Sequence, residues 1–320
     1  MERLMILVTG AAGFIGYHLC KKLLSSGQPV IGLDNINEYY DPELKHARLK
    51  ELSTFPEFSF HKIDMCDFDA LEKLFGDTSI DRICHLAAQA GVRYSLSHPF
   101  AYQKSNGEGF LHIIELAKRN NCSNFVYASS SSVYGMNTKL PFAETDPVDH
   151  PVSLYAASKR SNELTAFSYS HLFGMPCSGL RFFTVYGPWG RPDMALFIFT
   201  RSIIENRPID IFNNGEMRRN FTYIDDIVDG VIRVLDTPKP YEIYNIGNSR
   251  AENLMDFIDR IEQCLGKKAI RNFLPMQPGD VKVTVADIEK IRSLGYEPST
   301  NINEGIAEFV TWYKHYYSIA

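Results

Sequence analysis

Nothing in this chain approaches the ~20 consecutive apolar residues that a membrane-spanning helix needs, so no association by spanning is expected. Positive charge is not in excess either: 33 Lys and Arg face 38 Asp and Glu, a net charge of -5. That balance offers no general attraction for nucleic acid or for an anionic membrane. There are six cysteines, Cys20, Cys66, Cys84, Cys122, Cys177 and Cys264, and no Cys-x-x-Cys pair or cysteine-histidine cluster among them. Zinc and dithiol motifs are thereby excluded, no metal is expected, and the thiols read as reduced core residues of a cytoplasmic protein. A secretory leader is not expected, because the apolar run at residues 4–8 leads straight into a glycine-rich turn. Asn121-Cys122-Ser123 matches a glycosylation acceptor, idle without secretion. Internal repeats and low-complexity tracts are also missing.

What is present is an ordinary globular balance, 45% hydrophobic and 22% charged over 320 residues, enough for one large domain or two smaller ones. Short apolar runs at 5–8, 29–33, 58–63, 81–86 and 124–128 read as buried strands. Helical patterns cover 14–24, 99–119 and 153–173. Strands that alternate with helices predict an α/β fold, a Rossmann-type doubly wound parallel sheet covered on both faces. The sheet domain is expected over 1–180 and a smaller C-terminal substrate domain over 181–320, with parts of 226–246 packing back on the first.

Gly10-Ala11-Ala12-Gly13-Phe14-Ile15-Gly16 follows the first strand and opens the first helix. Glycines there allow a tight turn, close backbone approach to a diphosphate, and close helix-on-strand packing. The helix N-terminus then offers free N–H groups to the phosphates. Asp34, at the end of the next strand, falls near the ~20-residue spacing of a ribose ligand. A carboxylate there repels a 2′-phosphate, and the following residue is Asn35 rather than arginine, so NAD is expected over NADP.

A second constellation is Ser129-Ser130-Ser131-Ser132-Val133-Tyr134-Gly135, followed by Tyr155-Ala156-Ala157-Ser158-Lys159. A tyrosine and lysine four apart share a helix face. A nearby ammonium is expected to lower the phenol pKa so that the tyrosine acts as a base. The spacing alone proves little, since Tyr17 and Lys21 share it. Tyr155 is singled out because it follows a serine-rich strand end, and carboxyl ends of parallel strands are where such sheets bind ligands.

These motifs, together with His85-Leu86-Ala87-Ala88 and Arg219-Asn220-Phe221-Thr222-Tyr223-Ile224-Asp225-Asp226, resemble the extended short-chain dehydrogenase/reductase family over essentially the whole chain. Within it, three stretches resemble the UDP-glucuronate 4-epimerases: Ala90 to Ser95, Val148 to Tyr155, and Arg181 to Met194. The resemblance implies NAD-dependent epimerisation of UDP-glucuronate at C4 through a 4-keto sugar. Tyr155, Lys159 and Ser130 would be catalytic, with Ser131 and Ser132 as rivals for individual substrate contacts. The cofactor side would comprise Gly10, Gly13, Phe14, Ile15, Gly16, Asp34, Asn35, Asp64, Ala87, Asn106, Tyr155 and Lys159, with Asp64 near the adenine. The sugar carboxylate would meet Thr184 and Arg191, the UDP diphosphate Arg219, and the ribose Asp280 in the Pro278-Gly279-Asp280 turn. Arg93 stays unassigned, and His85 reads as a core histidine. The two long helical patterns imply a four-helix homodimer interface. Sugar 4,6-dehydratases carry an Asp-Glu pair where this chain has Ser131 and Ser132, which disfavours that chemistry. A UDP-glucuronate decarboxylase, another UDP-sugar 4-epimerase and a non-catalytic NAD-binding redox sensor are the alternatives.

Overall fold

Strand β1 (Met5–Thr9) alternates its side chains between two apolar layers, Ile6 and Val8 in one and Leu7 in the other. A strand buried on both faces belongs in the middle of a covered sheet. The computed structural model, which describes residues 4–276 and 281–319, places it there. Helix α1 (Phe14–Ser25) follows, then β2 (Val30–Asp34), α2 (Pro42–Leu52), β3 (Phe58–Lys62), α3 (Phe68–Asp77) and β4 (Ile80–His85). Helices α2 and α3 begin where Asp41 and Asp67 accept first-turn amides, Glu43 N at 3.0 Å and Ala70 N at 3.1 Å. Such caps satisfy donors that the helix itself leaves unpaired.

The helix expected over 99–119 forms, with a π-helical stretch in its middle. Short helices α4 (Tyr94–Ser97) and α5 (Pro99–Tyr102) lead into a π-helical turn, Gln103–Gly109, before α6 (Phe110–Arg119). Two demands widen that turn. Asn106 must reach inward to the main chain of Gln89, and Gly109 must close on Met65, whose Cγ would lie 2.6 Å from an added Cβ. Strand β5 (Asn124–Ser130) and the long helix α7 (Leu154–Phe173) come next, the latter capped by Ser153 Oγ on Ala156 N at 3.1 Å. Gly174, at φ 66°, ends it in the left-handed conformation that glycine adopts readily.

After β6 (Cys177–Phe182) the chain builds β7 (Thr184–Tyr186), α8 (Ala195–Ile204), β8 (Pro208–Phe212), β9 (Arg218–Arg219) and β10 (Phe221–Tyr223). It continues through α9 (Ile224–Leu235), β11 (Tyr241–Ile246), β12 (Glu252–Asn253), α10 (Leu254–Leu265), β13 (Ile270–Leu274), α11 (Glu289–Arg292) and α12 (Ile302–Tyr316). The central sheet is parallel throughout, in the order β11-β6-β5-β4-β1-β2-β3, the expected Rossmann-type architecture. Strand β11 thus returns to the sheet edge beside β6, in register from Tyr241 against Cys177. Buried Asn124 fastens α9 to the same sheet by donating to Val234 O at 3.1 Å and Leu235 O at 2.9 Å. Pairs β7–β10, β9–β12 and β8–β13 form small sheets beyond the carboxyl ends of the central strands. The strand order reverses between β1 and β4. A crevice forms at such a switch point, and ligands bind there.

Candidate active site

The glycine loop lies at that crevice. Gly10 takes φ 73° and has no room for a side chain, since an added Cβ would sit 2.9 Å from Ala87 N. At Gly16 a Cβ would fall 2.1 Å from Gly10 O, and at Gly13 2.9 Å from the same oxygen. The N-cap of α1 is Gly13, so no side chain caps the helix start. Asp34 closes β2 and is nearly buried; its two oxygens accept Ala12 N at 3.2 Å and Ile36 N at 2.8 Å. One carboxylate therefore braces the glycine loop and the loop that follows β2. Asn35 donates to Asp64 at 3.0 Å, and Cys66 N donates to the other Asp64 oxygen at 2.9 Å. Burial works to raise the Asp64 pKa, but the Asn35 and Cys66 hydrogen bonds prevail and hold it below the usual range. Ala87 N is held by Thr9 Oγ1 at 3.1 Å, and that hydroxyl also meets His85 Nδ1 at 2.9 Å. Buried His85 is pushed down to about 3 by desolvation, with the Lys159 charge adding to it. It is a neutral core histidine, as expected. A close-walled glycine turn, an uncapped helix start and acids at the ends of β2 and β3 fit a dinucleotide.

The catalytic candidates come together across β5 and α7. Ser130 stands beside the Tyr155 phenol and works to lower its pKa. Ser130 Oγ accepts Ser132 N and donates to Ser132 Oγ, each at 3.2 Å. Ser130 ends β5, while Ser131 and Ser132 open the short helical turn beyond it. Lys159 is buried one turn along α7 and donates to Ala128 O at 2.8 Å. Desolvation lowers its pKa to about 8.

The expected phenol–ammonium effect is not what the protein shows on its own. Burial raises the Tyr155 pKa, and the groups that oppose it are Ser130 by hydrogen bonding and Arg191 by charge. The lysine is turned to the β5 carbonyl instead. In the other tyrosine–lysine pair the contact does form, with Lys21 Nζ 3.1 Å from Tyr17 OH.

At the substrate end, Thr184 and Arg191 line one small cavity together with Phe14 of the glycine loop, Tyr186 and Met194. Arg191 is gripped by Asp193, Nε to Oδ1 at 3.0 Å and Nη2 to Oδ2 at 2.5 Å. Arg219 lies apart from this cavity on β9, with Nη1 donating to Lys282 O at 3.2 Å. Asp280 and the turn that carries it lie outside the described residues. Asn106 has its side chain committed to Gln89 and to Ser158 Oγ at 3.0 Å, so it fixes the wall of the crevice from within. Arg93 stacks over the Phe212 ring at 5.1 Å, bridging the loop before α4 to the substrate side.

Several residues at the site escaped sequence reasoning. Arg48 of α2 is fully buried and donates to Ala12 O at 2.7 Å, Tyr40 OH at 2.8 Å and Trp189 O at 2.6 Å. It joins the glycine loop to the segment just before Arg191, and nothing in an amphipathic helix pattern marks it. Tyr39 and Asp193 were missed for the same reason, being partners across 154 residues of chain. Glu163 did leave a signal, because it continues the four-residue steps from Tyr155 and Lys159 on one helix face. It is wholly buried, accepts Ser129 Oγ at 2.6 Å, and takes the Arg181 fork with both contacts at 2.9 Å. Residues 159 and 163 of α7 thereby clamp residues 128 and 129 of β5, directly beside the Tyr155–Ser130 pair.

Comparison with known proteins agrees with this geometry. A family model described as the NAD dependent epimerase/dehydratase family matches residues 6–247. The chain is 49% identical to Protein CapI of Staphylococcus aureus, covering 98% of this chain and 99% of that protein. It is 46% identical to UDP-glucuronate 4-epimerase 4 of Arabidopsis thaliana, over 98% of this chain and 76% of that one. Among solved structures, UDP-glucuronic acid 4-epimerase from Bacillus cereus, in complex with UDP-glucuronic acid and NAD, superposes with a TM-score of 0.92. That match has 37% identity and covers 98% of this chain and 100% of that one.

Proposed function

This chain belongs to the NAD-dependent epimerase/dehydratase family, and from that membership we propose that it interconverts UDP-glucuronate and UDP-galacturonate by inverting C4. The observation that carries the uronate reading is Arg191, a cation that acts on the Tyr155 phenol and lines the same cavity as Thr184. A sugar placed with its C4 hydroxyl on Tyr155 has its C5 carboxylate within the field of that guanidinium. Solved relatives bind UDP-glucuronic acid together with NAD.

Held by the glycine loop, Asp34 and Asp64, NAD would supply reversible hydride chemistry at C4 of the sugar. Tyr155 takes the C4 hydroxyl proton, relayed by Ser130, and gives it back at the end. Buried Lys159 holds the backbone end of β5 and carries a proton it releases near pH 8. Thr184 and Arg191 bind the carboxylate, Arg219 the UDP diphosphate, and Asp280 the ribose. Ser131 and Ser132 offer no acid–base pair for elimination. Residues 1–180 carry the cofactor and 181–320 the nucleotide sugar, with α9 and β11 returning to the first part.

Two copies would pair through a four-helix face. Leu96, Phe100 and Leu111 are exposed along the run from α4 to α6, and Leu164, Phe167, Leu172 and Phe173 along α7. Exposed apolar patches of that extent mark interaction surfaces. The unpaired thiols support a reducing, cytoplasmic setting. The test is a product assay with UDP-glucuronate, UDP-glucose and UDP-N-acetylglucosamine side by side. UDP-galacturonate from the first, well ahead of turnover of the neutral sugars, is the expected result. UDP-4-keto-pentose as the main product would make the protein a decarboxylase.

A further inference from the structure

Arg191 and the backbone that leads into it are held from two sides. From below, Arg48 Nη2 binds Trp189 O at 2.6 Å and Gly190 O at 3.4 Å, fixing the backbone that leads into Arg191. From the side, Asp193 takes the Nε–Nη2 edge of Arg191 in a two-bond fork. Tyr39 then donates its hydroxyl to Asp193 Oδ2 at 3.1 Å. The Tyr39 ring is itself set edge-on to Tyr94 at 4.9 Å. Its hydroxyl fills the space where Gly91 would carry a Cβ, 2.6 Å away. Tyr39 and Arg48 both belong to the segment after β2 that starts at the cofactor carboxylate Asp34.

A guanidinium has five N–H groups, and the fork to Asp193 uses two of them on one edge. The Nη1 edge makes no hydrogen bond among the described residues. It can take a second carboxylate with two parallel bonds. The direction in which that edge points is decided by Asp193.

Direction matters because of the intermediate. Oxidation at C4 of a uronate gives a β-keto acid. If the C5–carboxylate bond turns perpendicular to the ketone plane, it can break, its electron pair enters the C4 carbonyl as an enolate, carbon dioxide leaves, and C5 later takes a proton. An arginine free to change rotamer would follow the carboxylate into that alignment. One already fixed would resist it, and would also spend less rotamer entropy on binding.

We propose that Asp193, steadied by Tyr39, is a positioning residue that aims the open edge of Arg191 at the substrate carboxylate and so keeps the 4-keto acid from losing carbon dioxide. The proposal rests on UDP-glucuronate being the substrate. The competing possibility is that Asp193 merely occupies Arg191 until substrate displaces it.

The experiment compares holoenzyme carrying Asp193→Ala, Asp193→Asn, Tyr39→Phe, Arg191→Ala and the double change Arg191→Ala/Asp193→Ala. Epimer and decarboxylated product are measured together by NMR, alongside KM and bound NAD. Asp193→Ala is expected to raise KM by about 10-fold, the scale of one lost charge-assisted contact, and to raise the decarboxylated share severalfold with NAD content unchanged. Asp193→Asn, which keeps the volume, and Tyr39→Phe should shift both in the same direction by less. The double variant should match Arg191→Ala alone, since Asp193 acts through that arginine. A lower KM with an unchanged product ratio in Asp193→Ala would overturn the proposal in favour of displacement, and additive losses in the double variant would overturn it too. A wild type that converts UDP-glucuronate beside an Asp193→Ala variant identical to it overturns the proposal alone. A wild type that converts none overturns the functional reading, and the proposal with it.

Discussion

Replacing Tyr155 by phenylalanine removes one oxygen and keeps the ring, and the same change at Tyr17 makes a matched control. Both tyrosines stand four residues before a lysine on a helix. Burial raises the Tyr155 pKa, with Ser130 and the Arg191 charge working to lower it. Loss of the hydroxyl removes the proton acceptor, so kcat should fall by ~10²–10⁴-fold, the range for a positioned acid–base group. Stability should move little, because one modest hydrogen bond is exchanged for relief of a buried hydroxyl. Tyr17 is different in kind. It donates to Glu51, accepts from Lys21 at 3.1 Å, and its pKa is driven far above the usual range by burial and by Glu51. Glu51 keeps Lys21 at 2.8 Å when the phenol is gone. Tyr17→Phe should therefore cost about 1–2 kcal/mol of stability, a Tm loss of a few degrees, with little change in kcat. The assay is conversion of UDP-glucuronate followed by NMR, beside thermal unfolding of each holoenzyme. Equal losses of kcat in both variants, or a larger loss at Tyr17, would place the chemistry on the wrong helix and refute the reasoning.

Gly16→Ala puts a Cβ 2.1 Å from Gly10 O, so the loop must open and the purified protein should lose its nucleotide, measured after denaturation. Wild type should release NAD in about equal amount to protein, and NADP there would contradict the role of Asp34. Arg191→Ala should weaken substrate binding by roughly 10- to 100-fold and shift products toward UDP-4-keto-pentose; a slower enzyme with the wild-type ratio would confine Arg191 to binding. Lys159 gives a pH signature. Its pKa falls from 10.5 to about 8 on folding, so below pH 8 the native state bears the full cost of a buried ammonium. Between those values the unfolded chain holds the extra proton, and stability rises with pH by up to about 3 kcal/mol from this group. Raised thiols such as Cys177 pull the other way, so the comparison is with Lys159→Met in denaturant melts at pH 7.5 and 9.5. A variant with the wild-type pH slope would remove Lys159 as the cause.

Much of the fold was legible because strands buried on both faces are continuous apolar runs, and helices between them have their own period. Runs at 5–8, 29–33 and 81–86 became β1, β2 and β4 with ends shifted by a residue or so. The π-helical stretch within the 99–119 helix was not legible, because Asn106 turns inward to meet Gln89, a partner on a loop, and no local pattern reports that. On the site, local placement could be read: Gly10 and Gly16 pack the turn after β1, Ser130 ends β5 and Tyr155 lies in the first turn of α7. The phenol's environment could not. A lysine four residues away pointed to a direct contact, yet Lys159 serves Ala128 O while Arg191, from a distant loop, supplies the charge. Arg48 and Asp193 were invisible for the same reason, since their meaning lies wholly in tertiary partners.

The central claim is that the C4 hydrogen leaves the sugar and returns to it within one active site. UDP-glucuronate carrying deuterium at C4, incubated with the holoenzyme in ordinary water without added cofactor, tests this directly. The account predicts UDP-galacturonate with the deuterium still on C4. Product in which that deuterium has been replaced by solvent hydrogen would contradict it.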